Sequence, residues 1–318
     1  MHPVARLLAQ RIALGLVLLF AASILIFAGT QILPGDVAQS ILGQSATPQA
    51  LANLRAQLGL DQPAMTRYLA WAGGVLHGDL GKALTNGQDI ATAMSQRLGN
   101  TLFLAGAAAV IAVPLALILG LVSVRYRGRW PDRVISAVTL STVSVPEFLL
   151  GYLAMFFFAV QYRVFPSVST VYDSMGFFEK LHAIGLPVMV LVLVVLGHMM
   201  RMTRAAILNV MQSAYVETAE LKGLRPFTII ARHALPNAVA PVVNVIMLNM
   251  AYLVVGVVVV EVVFVYPGMG QYLVDHVAKR DVPVVQACGL VFAAVYIGLN
   301  MLADLVAILA NPRLRHPR

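Results

Sequence analysis

Charged residues are scarce in this sequence: 11% of its 318 positions are Asp, Glu, Lys or Arg, while 59% are hydrophobic. A soluble domain carries about 25% charge, so a water-facing globular fold is excluded and most of the chain must face lipid or other membrane helices. Cysteine is nearly absent. The single Cys288 cannot form an internal disulfide, and no Cys/His metal framework is possible. A nucleotide-binding loop is also missing. The nearest stretch, Gly78-Asp79-Leu80-Gly81-Lys82-Ala83, lacks the upstream glycine and the Ser or Thr after its lysine. There is no His-Glu-x-x-His helix and no Gly-x-Ser-x-Gly elbow. No catalytic residue and no metal ligand can therefore be named, which argues against an intramembrane enzyme. The formal charge of +8 suggests nucleic acid only until the charges are placed. They fall in short loops between apolar spans, where they report topology.

What the sequence does have is long apolar runs. Six stretches, 12–33, 101–124, 134–160, 184–200, 239–265 and 284–309, are long enough to cross a hydrocarbon core of about 30 Å as helices. Valine and isoleucine abound in them, but in lipid only helices or closed barrels satisfy the backbone. Barrel strands alternate apolar with polar residues, and these runs do not. The pattern predicts an all-α integral membrane protein with six transmembrane helices. The first span lacks a convincing small-residue cleavage site and reads as an uncleaved anchor. If the N-terminus is cytoplasmic, 14 of the 22 lysines and arginines lie on that side and 8, balanced by acids, lie on the other. The positive-inside rule thus puts both termini in the cytoplasm.

Three parts follow: 1–33, the N-terminus and first helix; 34–100, an extracytoplasmic segment; and 101–318, a core with five further helices. Segment 34–100 reads as a small folded cap. Its amphipathic stretches near 48–60 and 63–76 need each other or the membrane surface for their apolar faces, and Gly78-Asp79-Leu80-Gly81 forms a turn. Residues 163–181 are expected along the outer interface, and Pro267-Gly268-Met269-Gly270 opens a turn out of the membrane. The cytoplasmic stretch 201–237 reads as a helix to Lys222, a left-handed cap at Gly223, and a second helix begun at Pro226 and stopped at Leu235-Pro236. That arrangement is either an ordinary solubilising loop or a compact knob able to push on another protein.

Three acids, Glu147, Glu261 and Asp304, fall within the apolar spans. A carboxylate there should face the bundle interior or a polar cavity. Glu147 would sit about 20 Å into the third span, with Pro146 kinking the helix and freeing a carbonyl. For this pair two readings stand: a lining of the translocation path that meets a cationic group, or a structural hydrogen bond between helices. Glu261 and Asp304 read as structural. His198 with Arg201 and Arg204 reads as an interfacial anchor, and Ala105, Ala107, Ala108 and Ala109 suit close helix packing.

At this point a family likeness emerges. Glu217-Thr218-Ala219, then Gly223, then His233-Ala234-Leu235-Pro236 resemble the EAA loop of permeases from binding-protein-dependent ABC importers, with Thr218 and His233 in place of the usual Ala and Ile. The likeness to the dipeptide/oligopeptide/nickel branch runs along the chain. It covers Pro34-Gly35-Asp36, Leu58-Gly59-Leu60-Asp61-Gln62-Pro63, Arg67-Tyr68, Trp71, the turn from Gly78 to Gly81, and Val145-Pro146 with Phe148 and Gly151. It continues through Glu261 ahead of Tyr266-Pro267-Gly268-Met269-Gly270, through Arg280-Asp281-Val282-Pro283, and ends at Asn311-Pro312-Arg313. Glu147 stands where that family often has a small residue. The resemblance implies a permease subunit in a bacterial cytoplasmic (inner) membrane. A second, related but different permease chain would share the path. Two cytoplasmic ATPase subunits would hold ATP and Mg, with no cofactor on this chain. An extracytoplasmic binding protein would deliver di- or oligopeptides or a related solute such as glutathione, nickel or an opine. Glu217, Thr218, Ala219, Gly223, His233, Leu235 and Pro236 would form the coupling site on the ATPase, with lipid as the remaining partner and no nucleic acid. The alternative is a secondary transporter driven by an ion gradient through the three intramembrane acids.

Overall fold

The computed structural model describes residues 3–32, 37–172 and 174–310; Pro34-Gly35-Asp36 and Asn311-Pro312-Arg313 lie outside them. The helices, in chain order, are α1 (Pro3–Ile32), α2 (Val37–Leu42), α3 (Pro48–Gln57), α4 (Ala64–Leu76), α5 (Ile90–Arg125), α6 (Trp130–Ser144), α7 (Glu147–Ala154) and α8 (Phe177–Ala183). They continue with α9 (Gly185–Met211), α10 (Ala214–Leu221), α11 (Pro226–Thr228), α12 (Leu235–Gly256), α13 (Val258–Val263), α14 (Met269–Ala278) and α15 (Val282–Ala310). Among the described residues the one extended pairing is a bridge between Lys82 and Asp89.

Five helical runs are long and apolar enough to cross a membrane: α1, α5, α9, the stretch Pro226–Val263, and α15. The third predicted span departs from expectation. α6 and the run Glu147–Gln161 meet at a bend of 102°, so this stretch is two helices and not one kinked helix. The cause is local. A residue before proline is pushed out of the helical region, and Val145 is extended (φ −94°, ψ 131°). Pro146 follows with ψ 139°, and its carbonyl accepts from Leu149 at 3.0 Å and Leu150 at 3.1 Å. Pro146 therefore starts a new helix instead of bending an old one.

The second span also begins 11 residues before the predicted boundary, at Ile90. Asp89 caps it, accepting from Thr92 N at 2.9 Å and Thr92 Oγ1 at 2.6 Å, which satisfies donors that a helix start leaves open. Ile90, Ala93 and Met94 are then buried against Met269, Tyr272 and Val284.

The core sits between α5 and α9. Ala105, Ala108, Ala112 and Ala116 are buried along one face of α5 and pack on Val188, Val192, Val195 and Met199 of α9. Small side chains let two helix backbones approach. A Cβ at Gly120 would meet Thr203 Cγ2 at 3.1 Å, and one at Gly197 would meet the Thr139 carbonyl at 2.7 Å. α12 and α15 close the other side of the bundle, and α1 packs on α15 at its edge. α4 lies against α1 through an aromatic group: Phe27 stacks edge-on to Tyr68 at 5.3 Å, and Trp71 lies 6.2 Å from Phe27.

Candidate functional site

The segment after α9 forms the compact knob anticipated from the sequence, with two differences. The first helix does not run unbroken to Lys222. It ends at Met211, and Ser213 starts α10 in an extended conformation (φ −81°, ψ 147°). Ser213 Oγ bonds the Val210 carbonyl at 2.6 Å, a local partner that competes with the helical ladder. The second helix is not stopped at Leu235-Pro236 either. From Pro226 the helical path passes through a π-turn at Ile229–Ala234 and straight into α12. The π-turn falls just where Pro236 supplies no N–H, and the widened turn absorbs that missing bond. Leu235 and Pro236 thus join the knob rigidly to a membrane span.

Within the knob, Val216, Ala219 and Ile229 form a small buried cluster with Met211 packed on it. Ala219 is therefore an interior residue, while Glu217 and Thr218 face solvent. Thr218 Oγ1 bonds the Ala214 carbonyl at 2.9 Å. Gly223 ends α10 in the left-handed region, φ +73°, with its N–H on the Glu220 carbonyl at 2.9 Å and Leu224 N on the Ala219 carbonyl at 3.3 Å. Glycine adopts this conformation without the penalty a Cβ brings. Nothing lies within 4 Å of where its Cβ would be, so the backbone angle alone demands glycine. His233 is half-buried, and its carbonyl takes Asn237 Nδ2 at 2.8 Å. At the tip, Leu221 is 83% exposed and Phe227 72%, with Leu224 beside them.

Near the inner end of α9 a polar staple joins α5, α6 and α9. Asp132 is buried on α6 and pairs with Arg204 of α9, Nη2 to Oδ2 at 2.9 Å. It also takes the Ser123 hydroxyl of α5 and the Gly128 N–H at 2.9 Å. Arg204 is thus no free interfacial anchor.

Glu147 lies at the start of α7, half-buried, and accepts from Tyr252 Oη of α12 at 2.5 Å. Its place at a helix start also suits a negative charge. Beyond it Phe148 and Tyr152 of α7, and Phe156 and Phe157 of the π-helical run Met155–Gln161 that follows, are exposed on this chain.

Glu261 is wholly buried and acts as a cap. Its Oε2 accepts from Gly270 N at 2.7 Å and Gln271 N at 3.1 Å, the opening donors of α14, while Oε1 accepts from Thr101 Oγ1 at 2.6 Å. Thr101 in turn accepts from Met269 N at 2.9 Å. Nearby, Tyr266 Oη donates to the Asn100 carbonyl and Asn100 Nδ2 to the Pro267 carbonyl, both at 2.8 Å. Burial, with the Glu261 carboxylate adding to it, pushes the Tyr266 phenol up. A Cβ at Gly268 would overlap the Glu261 carboxylate. Asp281, also wholly buried, holds the 82–89 turn through Leu84 N at 3.1 Å, Thr85 N at 3.0 Å and Thr85 Oγ1 at 2.8 Å. Asp304 pairs with Arg11 of α1 at 2.8 Å, so Glu261 and Asp304 both have partners within the chain. Among the described residues no group of three metal-ligating side chains comes together.

Residues 112–316 match the family model "Binding-protein-dependent transport system inner membrane component", and residues 4–105 match "Binding-prot-dependent transport system membrane comp, N-term". This chain belongs to the permeases of binding-protein-dependent ABC importers. A putative peptide transport system permease protein of Brucella abortus (strain 2308) is 34% identical over 310 residues, covering 98% of this chain and 99% of the relative. The glutathione transport system permease protein GsiC of Escherichia coli (strain K12) is 36% identical over 298 residues, 94% of this chain and 95% of its own. Among solved structures, the inward-facing MetNI methionine ABC transporter shares the fold at 16% identity and a TM-score of 0.54, covering 69% of this chain and 96% of that one. Membership decides between the two transport readings. The chain is an ABC importer permease, a multi-pass transport component, and not a carrier driven by an ion gradient.

Proposed function

We propose that this permease forms half of the translocation path of an ATP-driven importer for di- or oligopeptides or a related small solute. The observation that carries the reading is the 213–234 knob, internally packed and presenting Leu221, Leu224 and Phe227 to solvent. Large apolar side chains grouped on a water-side tip mark a partner surface. The partner is a cytoplasmic ATPase subunit, two per transporter, each binding ATP and Mg that this chain has no motif to hold. Because the knob runs without a stop into α12, movement of the ATPase is delivered directly to a membrane span.

The excess of lysine and arginine on the knob side supports cytoplasmic termini and residence in a bacterial inner membrane. A second permease chain, related but different, completes the path, and an extracytoplasmic binding protein loads it. The names of the Brucella and Escherichia relatives support peptide-like solutes, glutathione among them. Glu147, with Pro146 breaking the helix before it, lines the path, where its carboxylate, held by Tyr252, meets a cationic group such as a peptide amino terminus.

Uptake by a strain lacking this chain, supplied with short peptides, glutathione and nickel and read by mass spectrometry, tests the assignment. Loss of peptide or glutathione uptake, restored by the intact chain, is expected. An unchanged profile overturns the substrate class.

A further inference from the structure

The short link between α5 and α6 gathers four arginines, Arg125, Arg127, Arg129 and Arg133, and all four are exposed. One acid lies among them, Asp132, and it is already engaged. Buried, it takes the Arg204 guanidinium, the Ser123 hydroxyl and the Gly128 N–H. Among the described residues none of the four guanidinium groups pairs with a carboxylate. Arg125 rests on the Tyr126 ring, 5.2 Å from its centre. The link therefore presents four positive charges that nothing in the chain offsets.

The link is also held in shape. Arg127 N donates to the Val124 carbonyl at 3.3 Å and Arg129 N to the Tyr126 carbonyl at 2.9 Å. Gly128 turns the chain at φ +74°, and Asp132 Oδ2 clamps its N–H at 2.9 Å. Arg129 and Arg133, four residues apart at the start of α6, share one face, and Trp130, three before Arg133, borders it. From Trp130 an apolar row, Val134 and Val138, runs down α6 at the same spacing, and all three side chains are exposed. On α5 the exposed Ile111 and Ile118 lead, at intervals of two turns, to Arg125. Each helix thus carries a bare apolar row that ends in arginine. Tyr126 and Trp130 stand at the junction, where aromatic side chains mark a membrane–water boundary.

A dissolved anion would meet the arginines and leave both apolar rows bare. A molecule with an anionic head and apolar tails covers charge and rows together, and the bilayer supplies it. We propose that the 125–133 link is a docking surface for anionic phospholipid, in the leaflet on the side of the 213–234 knob, where the Asp132–Arg204 pair fixes it. The lipid phosphates accept from the arginines, whose planar forks suit phosphate oxygens, and the acyl chains lie along the rows of α5 and α6. An excess of basic residues on one side orients a membrane chain whatever the lipid. Four unpaired arginines on a fixed turn above apolar rows also select the head group. This inference does not depend on which solute is carried.

The test is quenching of Trp130 fluorescence by brominated lipid in nanodiscs that hold the full chain. Phosphatidylglycerol or phosphatidylcholine, each brominated on its acyl chains, is mixed into a phosphatidylcholine bilayer. The chain has two tryptophans, and Trp130→Phe supplies the Trp71 background; Trp130 is 75% exposed, so that substitution leaves the fold intact. The ratio of the two quenching constants is the head-group preference at this one place. A preference for phosphatidylglycerol of at least about fivefold is expected, the effect of one arginine at an anionic surface. Arg129→Gln with Arg133→Gln should lower that preference at least about twofold at an unchanged melting temperature. Equal quenching by the two lipids overturns the proposal, and so does quenching by neither, since Trp130 would then lie outside the bilayer. Neither result depends on how the arginine variant behaves. Displacement of phosphatidylglycerol by equimolar glycerol phosphate would make this a site for a free anion and also overturns it. The measurement is repeated with the complete transporter complex. A preference that persists there supports the proposal, whereas one that vanishes means a protein surface covers the arginines, and the proposal fails.

Discussion

Replacing Glu261 separates its role as a cap from a role as a titrating carrier group. In the native fold its carboxylate takes three donors, Thr101 Oγ1 and the N–H groups of Gly270 and Gln271. Glu261→Ala strands all three in a buried site. Each buried donor left unpaired costs about 1–3 kcal/mol, so a loss of at least about 3 kcal/mol is expected. At roughly 2–4 °C per kcal/mol for a protein of this size, the melting temperature in detergent should fall by about 6–12 °C. Glu261→Gln keeps the shape and one carbonyl oxygen for the two backbone donors, and its amide can donate back to Thr101. It should cost about 1 kcal/mol and leave uptake close to normal. The assay is thermal unfolding of the solubilised complex together with uptake in cells. If Gln were as damaging as Ala, or stable but inactive in uptake, capping would not be what Glu261 does and the reasoning would fail.

Other outcomes follow from the same geometry. Arg204→Ala leaves Asp132 buried without its ion-pair partner and should cost about 3–5 kcal/mol. Arg204→Ala combined with Asp132→Asn should recover part of that loss in the same melting assay. Gly223→Val forces a β-branched residue to φ +73°, at a local cost of about 1–2 kcal/mol; the chain should still reach the membrane, but uptake should fall sharply. Glu147→Gln should reduce uptake of solutes with a free amino terminus more than that of blocked ones, whereas identical profiles at normal expression would make Glu147 a purely structural partner of Tyr252.

The all-helical membrane architecture and the family were legible because they rest on what a sequence displays directly: runs of apolar residues and short motifs at fixed spacing. Gly223 was legible for the same reason, since a glycine between two helical patterns marks a left-handed cap. The proline at 146 gave the place of the break in the third span but not its size. A missing N–H permits anything from a slight kink to the observed 102°, and packing of α7 against α13 and α9 selects among them. Leu235-Pro236 misled because a proline removes one hydrogen bond, and a π-turn upstream absorbs the loss without ending the helix. The polar staples were hidden by distance along the chain. Asp132 and Arg204 are 72 residues apart, Glu147 and Tyr252 are 105, and Asp281 and Thr85 are 196. Of these, only Glu147 and Arg204 drew notice in the sequence, and neither showed its partner until the helices were assembled. Glu261 left a partial trace in the sequence: the glycines at 268 and 270 leave room for its carboxylate against the start of α14.

The knob's role is tested most directly by co-purification of the ATPase subunits with the tagged, solubilised chain and its Phe227→Asp variant. Phe227 is 72% exposed, so the substitution should leave the melting temperature of the permease unchanged. The account predicts that the intact chain brings the ATPase with it and that the folded variant does not. ATPase recovered undiminished with the variant would contradict docking at this tip.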